Sequence, residues 1–191
     1  MSEWFQRYGA AEVHPHLIIG AVPLDANDIQ AVADQQVDRV LNLVQDEEYP
    51  DGARLEVEIA LAANQVVEHR VQVVDFGNLS APALEQAVRQ VVAWLESHHR
   101  VYLHCRAGWQ RSATVAAGVI ALREGVDIEE ALSRLRTRKP TADPLPHQRD
   151  DLRLWWERRD GTAGGESDPD ALPSPDAPPS PDAPPNPDAP T

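Results

Sequence analysis

His104-Cys105-Arg106-Ala107-Gly108-Trp109-Gln110-Arg111-Ser112 sets a cysteine and an arginine at the two ends of a loop. The strand-like run Val101-Tyr102-Leu103 precedes it and the helix-like run Ala113 to Arg123 follows it. A loop of that length between a strand and a helix can turn its backbone N–H groups inward at the positive end of the helix dipole, which makes an anion cradle. Phosphate is the natural guest. The same amides, with a nearby cation, favour thiolate over thiol at Cys105. One loop then holds a nucleophile and its target.

Before the loop, Leu84, Ala87, Val88, Val91, Val92 and Leu95 recur with the clearest helical period in the chain, and that helix ends near Ser97-His98-His99-Arg100. His98 and His99 read as surface residues. Further upstream, Val66 to Val74 reads as a strand that runs into Asp75-Phe76-Gly77-Asn78, where an acid beside a glycine can reach into a pocket; a plain turn aspartate has the same pattern. Arg54 to Gln65 reads as a helix with Leu55, Ile59 and Ala62 or Ala63 inward. Val37 to Val44 reads as a strand apolar on both faces, hence central. The acidic stretch Asp46-Glu47-Glu48-Tyr49 follows at that strand's C-terminal end, where open α/β sheets place binding loops. Asp25 to Gln36 reads as a helix and Leu17-Ile18-Ile19-Gly20 as a short buried strand. Trp4, Phe5 and Tyr8 are expected to pack on the outside of the domain. His14 and His16 fall on one face of a strand with no third partner, so no metal site is expected.

After the loop, Gly125-Val126-Asp127 closes one helix and opens another, with Asp127 as N-cap and Ile128, Ala131, Leu132 and Leu135 inward. Pro140 stops it. Residues 141–146 read as a loop, and Gln148 to Arg159 as a last helix that brings Leu152, Trp155 and Trp156 to the core. Strands alternating with helices predict an α/β domain, a mostly parallel central sheet flanked by helices, over residues 1–160. From 161 to 191 the composition turns to Gly, Ser, Asp, Ala and Pro, with Ser174-Pro-Asp-Ala-Pro-Pro repeated from Ser180. That segment has little to bury and is expected to be a disordered, partly polyproline-II tail without an identified partner.

The 191 residues carry 17 Lys and Arg against 31 Asp and Glu, a formal charge of −14. This argues against non-specific nucleic-acid binding and against a polybasic membrane anchor. No run is long enough to span a bilayer, so stable membrane insertion is not expected. A single cysteine excludes an internal disulfide framework and must stay reduced to react. The reading is a soluble cytoplasmic enzyme without metal or cofactor.

The chemistry these groups support is hydrolysis of a phosphate monoester. Cys105 attacks phosphorus, while Arg111 and the loop amides of Arg106, Ala107, Gly108, Trp109 and Gln110 hold the equatorial oxygens. Asp75 donates a proton to the leaving oxygen and then takes one from the water that attacks the phosphocysteine. Asp46 or Glu48 are the alternative acids. Ser112 can hydrogen-bond the Cys105 sulfur as it departs, and His104 orients the loop through its backbone neighbours. Arg106 favours a substrate with a second anionic group.

The signature His104-Cys-x-x-Gly-x-x-Arg-Ser112 resembles that of the cysteine-dependent protein tyrosine phosphatase superfamily, in particular its dual-specificity branch. The likeness extends over roughly residues 12–158, from Leu17-Ile-Ile-Gly20 and Val40-Leu-Asn-Leu43 to Arg138-Lys-Pro140 and the last helix, and it sets Asp75 where the family carries its general acid. It implies the phosphatase fold and a phosphorylated protein or small phosphomonoester as substrate. Acid before cysteine separates this pattern from the low-molecular-weight phosphatases, where the loop comes first, and from rhodanese-like domains, which have no matching acid. Two positions depart from the pattern: Gln110 replaces a small residue, beside an aromatic Trp109, and Asp143 stands where relatives often have Asn. Glu47-Glu-Tyr49 and Val101-Tyr-Leu-His-Cys-Arg-Ala-Gly also resemble the mitochondrial phosphatidylglycerophosphate phosphatase subgroup, which implies a lipid phosphate, a phosphoglucan or a nucleotide as further substrate classes. A non-catalytic phosphate-binding module is the reading from a different class; retention of Cys105, Arg111, Ser112 and Asp75 argues against it.

Overall fold

The computed structural model of the protein describes residues 1–163, with side chains through Arg159. Strands β1 (Ala10–His14), β2 (Leu17–Gly20), β3 (Arg39–Asn42), β4 (Val67–Arg70) and β5 (Val101–His104) form one sheet in the order β1-β2-β5-β3-β4. Only β1 is antiparallel to its neighbour; β5 runs parallel between β2 and β3. All four β5 residues are fully buried, as expected of a strand covered on both faces.

Helices cover both faces. On one side lie α1 (Glu3–Tyr8), α2 (Ala26–Ala33) and α3 (Ala53–Ala63), around a core that includes Phe5, Ile18, Ile29, Val40, Val57 and Tyr102. On the other lie α4 (Ala81–Glu96), α5 (Arg111–Glu124), α6 (Ile128–Arg138) and α7 (Pro146–Ala163), around Ile19, Leu41, Leu84, Val88, Leu103, Ile120, Leu132 and Trp155. The caps follow local chemistry: Asp25, Ser80 and Asp127 each accept an amide of the first turn of α2, α4 and α6. Helix α5 is buried from Arg111 through Ala121, and its small residues let α4 and α6 pack along it.

Three details differ from the sequence reading. The strand expected to reach Val74 ends at Arg70, yet Val71 and Val73 still donate to the carbonyls of Asn42 (3.0 Å) and Leu43 (3.1 Å), so the chain keeps following β3 without a regular ladder. Helix α3 buries Ala53, Val57, Ala60 and Leu61 and leaves Leu55 and Ile59 exposed. Its sequence offers two apolar stripes, and the ion pair of Arg54 with Glu68 of β4 (2.5 Å) accompanies the rotation that was adopted. Helix α7 starts at Pro146, which the first turn tolerates because no amide partner is needed there. It continues to Ala163, and the tail expected over 161–191 otherwise lies outside the described residues. No helix among the described residues is long and apolar enough to cross a membrane.

Candidate active site

The end of β5 and the start of α5 fix the loop between them. The His104 carbonyl accepts the Leu43 amide at 3.0 Å, and the Arg106 carbonyl accepts both the Val22 amide (3.1 Å) and the Trp4 indole N–H (2.8 Å). Gly108 has φ 74°, and a Cβ there would fall 2.6 Å from the Gly20 backbone; only glycine lets the loop lie this close to the end of β2. Helix α5 begins at Arg111, and the side chain of its N-cap residue Gln110 makes no capping hydrogen bond, so it does not compete with an anion for the first amides.

Cys105, 3 % exposed, sits at the base of the loop with its Sγ 3.3 Å from the Ser112 Oγ. Arg111 is 1 % exposed and pinned from several sides. Its Nη1 donates to Glu48 Oε1 (2.7 Å), to the Val73 carbonyl (2.7 Å) and to the Leu43 carbonyl (3.3 Å), while its Nη2 meets Glu48 Oε2 and Asp75 Oδ1, each at 2.7 Å. Burial alone would pull the guanidinium pKa down; the Glu48 hydrogen bonds and the negative charges of Cys105, Glu48 and Asp75 push it up instead. Burial likewise pushes Glu48 up, and its hydrogen bonds from Arg111 and the Gln45 amide outweigh that and lower it. Glu48 is thus an ionised clamp on Arg111.

The three acids that the sequence left open now occupy distinct places. Asp46 pairs outward with Arg70 (2.7 Å), Glu48 holds Arg111, and Asp75 lines the same cavity as Cys105. Asp75 is also a turn residue, accepting the Phe76 amide at 3.2 Å, and Gly77 donates to the Val74 carbonyl. Helix α7 fastens this turn: Gln148 donates to the Gly77 carbonyl (2.9 Å), and Asp151 accepts from the Leu79 amide (2.9 Å) and the Asn78 side chain (3.0 Å).

His104 is fully buried, and neither ring nitrogen has a hydrogen-bond partner among the described residues. Burial, reinforced by the charge of Arg111, lowers its pKa to about 3, so the ring is neutral and its link to the loop runs through the backbone. Lys139, buried at the end of α6, has its pKa lowered by burial, against the opposing charge of Cys105. The position where Asp143 replaces Asn reaches the loop through main chain: its amide donates to the Trp109 carbonyl (2.8 Å), while its carboxylate pairs with Arg136 and Arg149.

The cavity above Cys105, about 270 Å³, is lined by Asp75, Phe76, Arg106, Ala107, Trp109 and Gln110 and also by Trp4 and Tyr8. These last two were expected on the outside of the domain. Helix α1 instead sends Phe5 into the core and turns Trp4 and Tyr8, one helical turn apart, to the cavity wall. Their i, i+4 spacing was the available signal. Arg106 stacks its guanidinium 5.0 Å from the Trp4 ring centroid and donates to the Glu48 carbonyl (3.1 Å), so its charge is engaged within the wall.

The family model described as "Dual specificity phosphatase, catalytic domain" matches residues 20–158. No curated protein matches the sequence. Among solved structures, Tk-PTP in its active form is 24% identical, with a TM-score of 0.69 over 78% of this chain and 97% of that one. PTPMT1 in complex with PI(5)P is 22% identical, with a TM-score of 0.70 over 81% and 98%. Human DUSP28 is 20% identical, with a TM-score of 0.63 over 79% and 95%. The three are similar to this chain in fold.

Proposed function

The chain belongs to the dual-specificity phosphatase catalytic-domain family and is a cysteine-dependent phosphatase, and on that premise we propose that it hydrolyses phosphotyrosine, phosphoserine or phosphothreonine in proteins through a phosphocysteine intermediate. One observation carries the reading: a single cavity brings Cys105 and Asp75 together, with Arg111 ion-paired to Asp75 and Ser112 against the sulfur.

In the first step Cys105 Sγ forms a bond to phosphorus as the P–O bond to the leaving group breaks, and protonated Asp75 delivers its proton to that oxygen. Arg111 and the loop amides carry the charge of the transferring group. In the second step Asp75, now ionised, takes a proton from the attacking water, the S–P bond breaks, and the Ser112 hydroxyl donates toward the departing sulfur. Glu48 touches neither reacting atom; it is a positioning residue that keeps the Arg111 fork in place. Residues 1–160 are assigned the whole of this activity, and 161–191 a role outside it. A nucleophile that must remain a free thiol fits a reducing, cytoplasmic compartment.

A second reading, a lipid phosphomonoester, is favoured by Glu47-Glu48-Tyr49 and by the PI(5)P complex of the similarly folded PTPMT1. Phosphopeptides, phospholipid monoesters, phosphoglucan and nucleotides assayed against the wild type and Cys105→Ser decide between the two. The expected result is phosphopeptide turnover that Cys105→Ser abolishes; turnover confined to a non-protein phosphate would replace the protein reading.

A further inference from the structure

The cavity walls carry more aromatic surface than transfer of a phosphoryl group requires. Trp4 and Tyr8 pack on each other with ring centroids 4.4 Å apart, and Tyr8 meets Trp109 edge-on at 5.1 Å. This continuous wall joins helix α1 to the cysteine loop. Phe76, next to the acid, lines the cavity as well; it is 66 % exposed and has no ring partner among the described residues. Its backbone is held at φ 56°, an unfavourable conformation for a bulky residue, with its carbonyl 3.1 Å from the His147 Nε2. A large ring kept in water and in a strained conformation at the rim of a cavity is a surface waiting for a flat apolar guest. Arg106, the one cation among the described residues that lines the cavity, is turned onto Trp4 and the Glu48 carbonyl, so these walls present ring faces and edges rather than free charge.

We propose that this wall makes the site selective for phosphomonoesters of aromatic alcohols, phosphotyrosine above phosphoserine or phosphothreonine, with Trp4, Tyr8 and Phe76 as the specificity-determining residues. The proposal rests on the phosphatase reading above. With phosphate over Cys105, an aryl group on the ester oxygen fills the space between Phe76 and the α1 wall and gains stacking and edge contacts on its way out of the cavity. A serine or threonine stem is too slight to touch both sides. A lipid headgroup on a membrane would instead ask for free basic groups at the mouth, against a chain of charge −14.

Calorimetric titration of the full chain with phenylphosphonate, methylphosphonate, n-octylphosphonate and orthophosphate tests this. Phenylphosphonate is expected to bind at least about tenfold more tightly than methylphosphonate, and Tyr8→Ala and Phe76→Ala each to bring that ratio down to about threefold or less. Phe76 is exposed, so its replacement keeps the test open where a change in α1 disturbs folding; Trp4→Phe keeps a ring and is expected to keep most of the ratio. A wild-type ratio near one, a ratio that survives both alanine variants, or tighter binding of the octyl compound than of the phenyl one overturns the proposal. If orthophosphate binds and the ratio is one, only the aromatic selectivity falls; if orthophosphate does not bind either, the phosphate site itself falls.

Discussion

Asp75 Oδ1 lies 2.7 Å from Arg111 Nη2, so the proposed acid rests on the cation proposed to receive the substrate. Asp75 lines the cavity whereas Arg111, 1 % exposed, does not. On the proposed mechanism an arriving phosphate takes this guanidinium edge from Asp75, and the released carboxyl group is the one that passes the proton. Asp75→Asn should therefore move two quantities in opposite directions. Affinity for orthovanadate should rise by about tenfold, since one like charge is removed, while turnover of alkyl phosphates, which need a proton on the leaving oxygen, should fall much further than turnover of aryl ones. Inhibition constants and turnover on a paired alkyl and aryl substrate check this; equal losses on both substrates with unchanged vanadate affinity would contradict it.

Glu48 is the residue whose loss should cost both stability and rate. It satisfies both terminal nitrogens of a buried arginine, and removal of one partner from a buried pair costs about 3 kcal/mol or more. Glu48→Ala is expected to lower the denaturation midpoint accordingly and to reduce kcat/KM about a hundredfold by releasing the Arg111 fork. Glu48→Gln, which can still fill the space and make a hydrogen bond, should restore much of the stability and less of the rate. Loss of rate and stability in the same proportion in both variants would mean that Glu48 is structural only.

Gly108 offers a test of the loop geometry. Alanine at φ 74°, with its Cβ 2.6 Å from the Gly20 backbone, forces the cysteine loop away from β2. The expected result is a destabilisation of about 1–3 kcal/mol and loss of measurable orthophosphate binding. Normal phosphate affinity in Gly108→Ala would show that the close approach of the two glycines does not shape the cradle.

Stability should fall with acid in a window set by His104 and Glu48. The His104 pKa is about 3 in the folded protein and near 6.5 in a free chain. Between those values the unfolded chain binds more protons, so stability rises with pH across the window and this contribution is complete above it. Glu48 acts in the same sense: its folded pKa is lowered, so its contribution is present above the unfolded carboxyl value and lost as pH falls through the folded one. Denaturant titrations of wild type and His104→Asn between pH 7 and 4 check this, with the variant expected to lose a slope of up to about 1.4 kcal/mol per pH unit. Identical slopes would contradict the assignment.

Much of this site could be read from the chain because its chemistry is contiguous. Cys105 to Ser112 is a single local motif, and the apolar runs of β2, β3 and β5 required a sheet covered on both faces. What could not be read was long-range orientation. Leu55 and Ile59 were placed inward because α3 carries two apolar stripes and only its packing on α2 and β4 selects one. Trp4 and Tyr8 were placed outside because their i, i+4 spacing shows that they share a helix face and not that the Trp4 indole meets the Arg106 carbonyl, 102 residues away. Where Asp46, Glu48 and Asp75 end up depended likewise on long-range contacts: Asp46 meets Arg70, Glu48 and Asp75 both meet Arg111, and of the three it is Asp75 that lines the cavity.

Deleting residues 164–191 should leave turnover of a small aryl phosphate within about twofold of the full chain, since a segment of that Pro-, Asp- and Ala-rich composition offers few side chains that a packed site could use. Steady-state rates on both proteins decide this, and a large drop would make the tail part of the enzyme.

On the proposed mechanism the phosphoryl group passes through Cys105. Rapid acid quench of the enzyme with an aryl phosphate, followed by peptide mass analysis, tests it most directly. The expected result is one phosphoryl group on the Cys105 peptide of the wild type, more of it in Asp75→Asn, where the second step lacks its base, and none in Cys105→Ser. Turnover without a phosphorylated Cys105 peptide, or undiminished turnover by Cys105→Ser, would contradict it.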